Sequence, residues 1–392
     1  MNKQKYVDVS YKSLNKYTEE LCGDRVEIVN TENGVIIVLS DGLGSGVKAN
    51  ILSTLTSKII STMMKEGADI EDTVDTIVKT LPVCSVRNLA YSTFSILQIS
   101  HQGEVYLVEF DNPGCIFIKD GKLSRIEYTL REIEKKNIKE ARFNVNESDE
   151  LLLISDGVVY AGVGALLNLG WSWDNVADFA VEKFKQEKTS ARMTSLLSEA
   201  CADLYMNEPG DDTTVVTAKI IPKKVVNIFS GPPERIEDDE RAVSDFMQNE
   251  GLKVVCGGST ANITSRILKE SITTELNYIN PNIPPIARIK GIDLVTEGVL
   301  TLRKALEIIK KYLDDPTEKI NINLIDESHG ASLLAKILME ECTHLHLFIG
   351  KKINPAHQNP NLPVDLSIKL RLLEDLYNVM EKAGKVVERK YY

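Results

Sequence analysis

The hydrophobic pattern changes at Pro222-Lys223-Lys224, and that change divides the chain into two differently built parts. Before it, short strand-like runs are joined by tight turns. Asp24–Asn30 and Val35–Ser40 flank Asn33-Gly34. Tyr91–Ser100 and Glu104–Asp111 flank His101-Gln102-Gly103, and Cys115–Lys119 and Lys122–Glu127 flank Asp120-Gly121. Asn-Gly and Asp-Gly between such runs mark hairpins, because these residues tolerate the left-handed backbone that a two-residue turn requires. After the boundary, strands alternate with helices. Val225–Ser230 precedes a helix at Glu237–Glu250, and Lys253–Cys256 precedes a helix opened by Gly257-Gly258-Ser259-Thr260. Ile292–Val295 precedes Leu300–Leu313. The helix Ala331–Glu341 leads to the strand His344–Ile349, and a helix at about 366–383 leads to Lys385–Glu388. This alternation argues for a parallel or mostly parallel α/β layer. With 392 residues and roughly 100–200 residues per domain, the expected units are 1–222 and 223–392.

Helices are also expected in the first part. Ile51, Leu55, Ile59 and Met63 recur every four residues within Val47–Lys65. Further helices are expected at Ile70–Leu81, stopped by Pro82, and at about 174–187 and 190–205. The Ile/Leu stripe and Met63-Met64 read as core packing, with docking against a partner or neighbouring domain as the alternative.

Composition excludes several classes. A hydrophobic fraction of 43% with 26% charged residues is an ordinary globular balance. The net charge of -11 repels nucleic acid and anionic lipid in the overall field. The apolar runs at 35–39, 150–154 and 346–349 fall far short of the ~20 residues that cross a bilayer. The polar N-terminus lacks the apolar stretch of a secretory signal. The six cysteines are scattered, with no CxxC pair and no zinc spacing, so reduced thiols in a cytoplasmic protein are expected.

The chemistry lies in carboxylates at strand ends. Asp41 follows Val35–Ser40 and precedes a glycine turn. Asp156 follows the strand Glu150–Ser155 and precedes Gly157. Asp211 precedes the strand Thr213–Ile220. Strand-end carboxylates beside glycine can converge while the glycine admits a metal or phosphate to the backbone. Hard cations such as Mg²⁺ or Mn²⁺ prefer such oxygen donors, with water completing the shell. Taken singly, each Asp-Gly reads as a turn. The argument rests on the ordered set Cys22-Gly23-Asp24, Ser40-Asp41-Gly42-Leu43-Gly44-Ser45-Gly46, Ser155-Asp156-Gly157 and Gly210-Asp211-Asp212-Thr213-Thr214.

That set resembles the SpoIIE/RsbU branch of the PP2C-type metal-dependent serine/threonine phosphatases over roughly residues 10–221. Asp41–Ala49 matches the branch's DGxGxGxxA pattern, and Gly210–Val216 matches its terminal DDxT strand. The resemblance implies an α+β fold, an αββα sandwich with two Mn²⁺ or Mg²⁺ ions at one edge. Under it Asp41 bridges the ions, the Gly42 carbonyl binds one, Asp156 and Asp211 complete the other, Asp24 holds the early acidic position, and Asp212 stands behind them. The implied reaction is hydrolysis of phosphoserine or phosphothreonine on a bacterial regulatory protein by a metal-activated water, with Asp41, Asp156 and Asp211 as the catalytic set. The first candidate substrate is a phosphorylated STAS-domain, anti-anti-sigma-like regulator. The branch generally lacks the phosphate-clamping arginine of its eukaryotic relatives. Arg25, beside Asp24, is a candidate for that part, against the plainer reading of an exposed strand arginine. The two helices after the glycine turn correspond to the branch's regulatory element.

Residues 223–392 carry no recognised enzyme motif and read as a smaller, Rossmann-like α/β regulatory or substrate-selecting domain. Gly257, Gly258, Ser259 and Thr260 between strand and helix are a candidate anion site, against an N-capped turn. His344 and His346 alternate on one strand without a third ligand nearby, and Asp326–Gly330 reads as a cap or turn. Alternatives to the protein phosphatase stay open. One is a regulatory scaffold with a weakly active phosphatase fold whose second domain senses a ligand or partner. Another is a two-metal phosphohydrolase of small esters. A homodimer is compatible with the sequence.

Overall fold

In the computed structural model, which describes residues 5–80, 92–134, 136–187, 189–274, 286–314, 330–352 and 368–392, the chain divides into two compact units, Met1–Pro222 and Lys223–Tyr392. Cys84, Pro82, Tyr91, the loops Asn280–Pro285 and Asn354–Pro363, and Asp326–His329 lie outside the described residues.

The first unit runs β1 (Lys5–Leu14), β2 (Asp24–Thr31), β3 (Gly34–Gly42), α1 (Gly46–Lys65), α2 (Ile70–Thr80), β4 (Ser92–Ser100), β5 (Glu104–Phe110), β6 (Ile116–Lys119), β7 (Lys122–Ser124), β8 (Thr129–Ile133), β9 (Lys136–Asn144), β10 (Glu150–Ile154), α3 (Asp156–Val159), α4 (Trp173–Phe184), α5 (Ser190–Leu204) and β11 (Thr213–Pro222). Its strands form two antiparallel sheets, ordered β1-β11-β10-β6-β7 and β2-β3-β4-β5-β9-β8.

Strand β3 explains why the sheets stack. Successive side chains of a strand face opposite sides, and in β3 both sides are apolar. Val35, Ile37 and Leu39 join Leu97, Leu107, Leu151, Leu153 and Val216 in a core between the sheets. Ile36 and Val38 instead meet Ile60 and Met64 of α1 and Val74 and Ile77 of α2. On the outer face of the other sheet, Leu152, Ile154 and Val215 pack against Ala177 and Ala180 of α4 and Leu197 and Cys201 of α5. Each sheet therefore buries both faces, and the layers are helix, sheet, sheet, helix.

Strands β1, β8 and β9 are absent from the sequence reading, for two reasons. In β1 Val7, Val9 and Tyr11 alternate with polar residues within a polar terminal stretch, and one of those, Asp8, is buried because it accepts a hydrogen bond from the Ser190 amide at the start of α5 (2.9 Å). In β8 every residue but Ile133 is exposed, so that edge strand carries no periodic signal. The α1 stripe is core only at its far end: Ile51 and Leu55, with Val47 before them, are 52%, 46% and 61% exposed, while Ile59 packs partly buried against the core beside Ile60 and Met64.

The second unit runs β12 (Val225–Ser230), α6 (Asp239–Gln248), β13 (Leu252–Cys256), α7 (Gly258–Leu268), the two-residue strands β14 (Thr273–Thr274) and β15 (Ala287–Arg288), β16 (Leu294–Thr296), α8 (Val299–Asp314), α9 (Gly330–Glu340), β17 (His344–Ile349), α10 (Ile368–Lys382) and β18 (Val386–Tyr391). Strands β16-β13-β12-β17-β18 are parallel in that order, with β15 and β14 antiparallel at one edge. The order reverses between β12 and β17, as in doubly wound sheets. Phe229, Val255 and Phe348 close a core with Ala242, Val243 and Phe246 of α6.

Candidate metal centre

Five aspartates come together where the two sheets of the first unit end. Asp24 and Asp41 are opposite residues on the β2–β3 ladder, and the Gly42 amide donates to the Gly23 carbonyl (3.1 Å) one step further on. From the other sheet, β10 and β11 pair antiparallel with Ile154 opposite Val215. The end of β10 therefore lies beside the start of β11, which brings Asp156 to Asp211 and Asp212. The join is tight: the Ser155 amide donates to the Thr214 carbonyl (3.0 Å) and the Thr214 amide to Ser155 Oγ (2.8 Å).

The glycines are required by close backbone approach. A Cβ on Gly42 would lie 2.0 Å from the Ala49 carbonyl oxygen, and one on Gly157 would lie 2.2 Å from the Asp212 carbonyl oxygen. On Gly23 it would lie 2.7 Å from Asp212 Oδ2 and 2.9 Å from Ala49 Cβ. This accounts for the small residue in the fourth position of α1: Ala49 is fully buried against both glycines. Tyr205 donates its hydroxyl to the Gly157 carbonyl (2.8 Å) and holds the short helix α3 in place.

The carboxylates differ in their surroundings. Asp24 is buried, and neither of its oxygens has a hydrogen-bond partner among the described residues. The hydroxyl of Thr214 beside it donates to Ser13 Oγ instead (2.8 Å). Asp212 is buried too. Its Oδ1 accepts from the Lys16 amide (3.0 Å), and its Oδ2 is unpartnered. Asp211 is half-exposed, and its Oδ1 accepts from the Asp212 amide (3.0 Å). Burial pushes the Asp41 carboxyl well above the ordinary carboxylate range, and the charges of Asp24, Asp156, Asp211 and Asp212 push it further. Burial also raises Asp24, an effect partly offset by the neighbouring Thr214 and Ser155 hydroxyls. Asp156 is raised by burial and then by Asp211.

Buried, unpartnered carboxylate oxygens are costly unless something compensates them. Three such oxygens lie on Asp24 and Asp212, in a set of five carboxyl groups with the Cys22 thiol beside it. That donor set fits a hard divalent cation. Among the described residues no three His, Cys, Asp or Glu side chains converge closely enough to coordinate an ion by themselves.

The other expected residues lie elsewhere. Arg25 faces away from Asp24, donating to Glu27 Oε1 (3.3 and 3.4 Å). His344 Nδ1 contacts Thr343 Oγ1 (2.9 Å) while His346 lies 3.7 Å from Glu388, so the two histidines have separate partners. At the second unit's glycine turn, the Gly257 amide donates to the Thr296 carbonyl (2.9 Å). Thr260 is buried and accepts from the Gly231 amide (2.8 Å), while a Cβ on Gly258 would meet nothing within 4 Å. Thr260 thus serves the fold, and Gly258 and Ser259 are the open part of the turn. The five described cysteines are unpaired, and no helix among the described residues is long and apolar enough to cross a membrane. The sequence reading missed Lys16, whose segment between β1 and β2 touches both Asp211 and Asp212. No motif marks it, because its contacts come from the chain folding back.

Residues 31–221 match the family described as Stage II sporulation protein E (SpoIIE). For that region the match bears out the resemblance read from the four motifs. No curated protein matches the chain. Among solved structures, the chain is similar to the PP2C phosphatase domain and a fragment of the regulatory domain of SpoIIE from Bacillus subtilis, at 20% identity over 57% of this chain and 66% of that one, TM-score 0.46. This chain thus spans just under two thirds of that relative's length. It is similar to the RsbU and RsbW domains of a Mycobacterium tuberculosis protein at 15% identity over 62% and 68%, TM-score 0.47. It is also similar to the catalytic domain of the serine/threonine phosphatase PstP, described in complex with two manganese ions, at 14% identity over 55% and 99%, TM-score 0.38.

Proposed function

We propose that residues 1–222 are a metal-dependent protein phosphatase acting on phosphoserine or phosphothreonine. The observation that carries this reading is the meeting of Asp24 and Asp41 from one sheet with Asp156, Asp211 and Asp212 from the other, around buried oxygens of Asp24 and Asp212 that have no close hydrogen-bond partner among the described residues. Asp41, Asp156, Asp211 and the Gly42 carbonyl would hold two Mn²⁺ or Mg²⁺ ions, with Asp24 contributing at the early acidic position. Bound there, such ions lower the pKa of a water and offset charge on the phosphoryl oxygens. The chain's own part is to hold five carboxylates in place through the β2–β3 ladder and the β10–β11 join. The glycines at 23, 42 and 157 keep the backbone approaches narrow. By resemblance, the substrate is a phosphorylated regulator of the STAS, anti-anti-sigma-like kind in a bacterial cytoplasm. Residues 223–392 select it or sense a signal, with the Gly257–Thr260 turn as the anion-binding element.

The test is Mn²⁺-dependent hydrolysis of p-nitrophenyl phosphate and of a phosphopeptide by the full chain and by Asp41→Ala. Activity that requires Mn²⁺ and is lost in the variant supports the phosphatase. Equal activity in both places the reaction elsewhere. Mn²⁺ binding by neither protein favours the scaffold reading.

A further inference from the structure

The centre gathers five carboxyl groups, and a phosphomonoester brings up to two more negative charges. Arg25 is turned to Glu27. Among the described residues, the one side-chain cation ion-paired with any of the five aspartates is Lys16, whose Nζ lies 3.8 Å from Asp211 Oδ1.

Lys16 is anchored through its backbone. Its amide donates to Asp212 Oδ1 (3.0 Å), the next amide, of Tyr17, donates to the Pro209 carbonyl (2.7 Å), and Asn15 Nδ2 donates to the Glu20 carbonyl (3.0 Å). The position of the Lys16 Cα therefore does not depend on its ammonium. The ammonium sits on a flexible stem, 38% exposed, against a carboxylate that is itself 47% exposed. Such a pair is weak and screened by solvent. It holds the cation at the rim of the centre without committing it, so a more highly charged oxyanion arriving there can recruit it.

Resting on the phosphatase reading for the ester that arrives, we infer that Lys16 binds the phosphate. It pairs with Asp211 when the centre is empty of ligand and turns its ammonium onto a phosphoryl oxygen when a phosphate monoester or inorganic phosphate enters. A point charge suits this task, because a lysine needs no fixed planar geometry to meet a tetrahedral oxyanion.

The experiment titrates inorganic phosphate by calorimetry into the Mg²⁺-loaded full chain, for the wild type, Lys16→Ala, Lys16→Arg and, as a control, Arg25→Ala. Mg²⁺ affinity is measured separately without phosphate. Lys16→Ala is expected to weaken phosphate roughly tenfold to a hundredfold, the scale of one hydrogen bond to a charged group. Lys16→Arg should recover most of that, Arg25→Ala should match the wild type, and Mg²⁺ affinity should stay within about threefold. With p-nitrophenyl phosphate, KM should rise more than kcat falls. Phosphate affinity unchanged in Lys16→Ala, or lost only in step with Mg²⁺ affinity, would make Lys16 a mere counter-ion of Asp211 and overturn the inference. So would a wild type that binds no phosphate. A wild type that binds phosphate through Lys16 and hydrolyses no ester would refute the phosphatase reading and leave this inference standing.

Discussion

Asp24 and Asp41 face each other across the β2–β3 ladder, so two carboxyl groups that resist being charged together are built into the register of a hairpin. Side chains directly opposite on an antiparallel pair are close neighbours, and like charges there are destabilising. Asp24 is also buried with no hydrogen-bond partner among the described residues. The hairpin carries this cost for the sake of the centre.

Asp41→Asn should therefore separate stability from function. Asparagine keeps the shape without an ionisable carboxyl in a site where burial and neighbouring carboxylates disfavour the charge, so the metal-free variant should melt at or above the wild-type temperature. Stabilisation by added Mn²⁺, which follows from preferential binding to the folded state, should shrink or vanish. Hydrolysis should fall by several orders of magnitude, the scale on which metal-activated water operates. Thermal melts with and without Mn²⁺ read both effects. A variant that Mn²⁺ stabilises as strongly as the wild type would remove Asp41 from the ligand set.

Two glycines of the same turn should respond differently to alanine. At Gly42 the new Cβ would meet the Ala49 carbonyl oxygen at 2.0 Å, so α1 must shift off the centre. Gly44 has open space around it and a φ of +103°, so its cost is backbone strain alone. We expect Gly42→Ala to lose about 3 kcal/mol or more and Gly44→Ala about 1–2 kcal/mol. Denaturant unfolding of both variants measures the difference.

Glu109 should make the first unit less stable as pH rises. It is 1% exposed, and burial raises its pKa to about 7, although the Cys115 amide (2.6 Å) favours its charged form. In the unfolded chain it titrates near the ordinary glutamate value of 4.5. Between those two values the unfolded state has already released its proton while the folded state still holds it. Stability is thus full below about pH 4.5 and falls as pH approaches about 7. Glu109→Gln should remove this slope, leaving the variant on the order of 2–3 kcal/mol more stable than the wild type at pH 8 and similar to it near pH 4.5. Urea titrations at the two pH values test the sign.

On α1, exposure predicts the effect of substitution better than hydrophobicity does. Val47→Ser and Ile51→Ser, at 61% and 52% exposed positions, should change stability by less than about 0.5 kcal/mol. Ile60→Ala, fully buried against β3, should cost about 2–5 kcal/mol. Comparable losses at both kinds of position would mean that the outer stripe is covered.

Much of this protein is determined locally and can be read residue by residue. Asn33-Gly34 and Asp120-Gly121 specify hairpins because the turn needs their backbone freedom, and β3 and α2 form where the apolar spacing places them. The order of the acidic motifs carries a family resemblance before any coordinates are considered, and residues 31–221 match that family's model. Local pattern falls silent where an element's partner is distant. Asp8 in β1 is explained only by the start of α5, and β8 lies at an edge where nothing needs burying. The α1 stripe repeats every four residues and so drifts around a 3.6-residue helix, from exposed Ile51 to partly buried Ile59, and spacing alone does not say which face meets the sheet. Ala49, pressed against Gly23 and Gly42, makes that choice and turns Val47 and Ile51 outward. In the centre, the sequence supplied the carboxylates and glycines. Only the tertiary structure decided that Asp24 stands opposite Asp41, that Asp212 is buried while Asp211 is half-exposed, and that Lys16 folds back onto both. The physical reason is that charge and burial are properties of neighbourhoods, and these neighbours are brought together by sheet register and not by spacing along the chain.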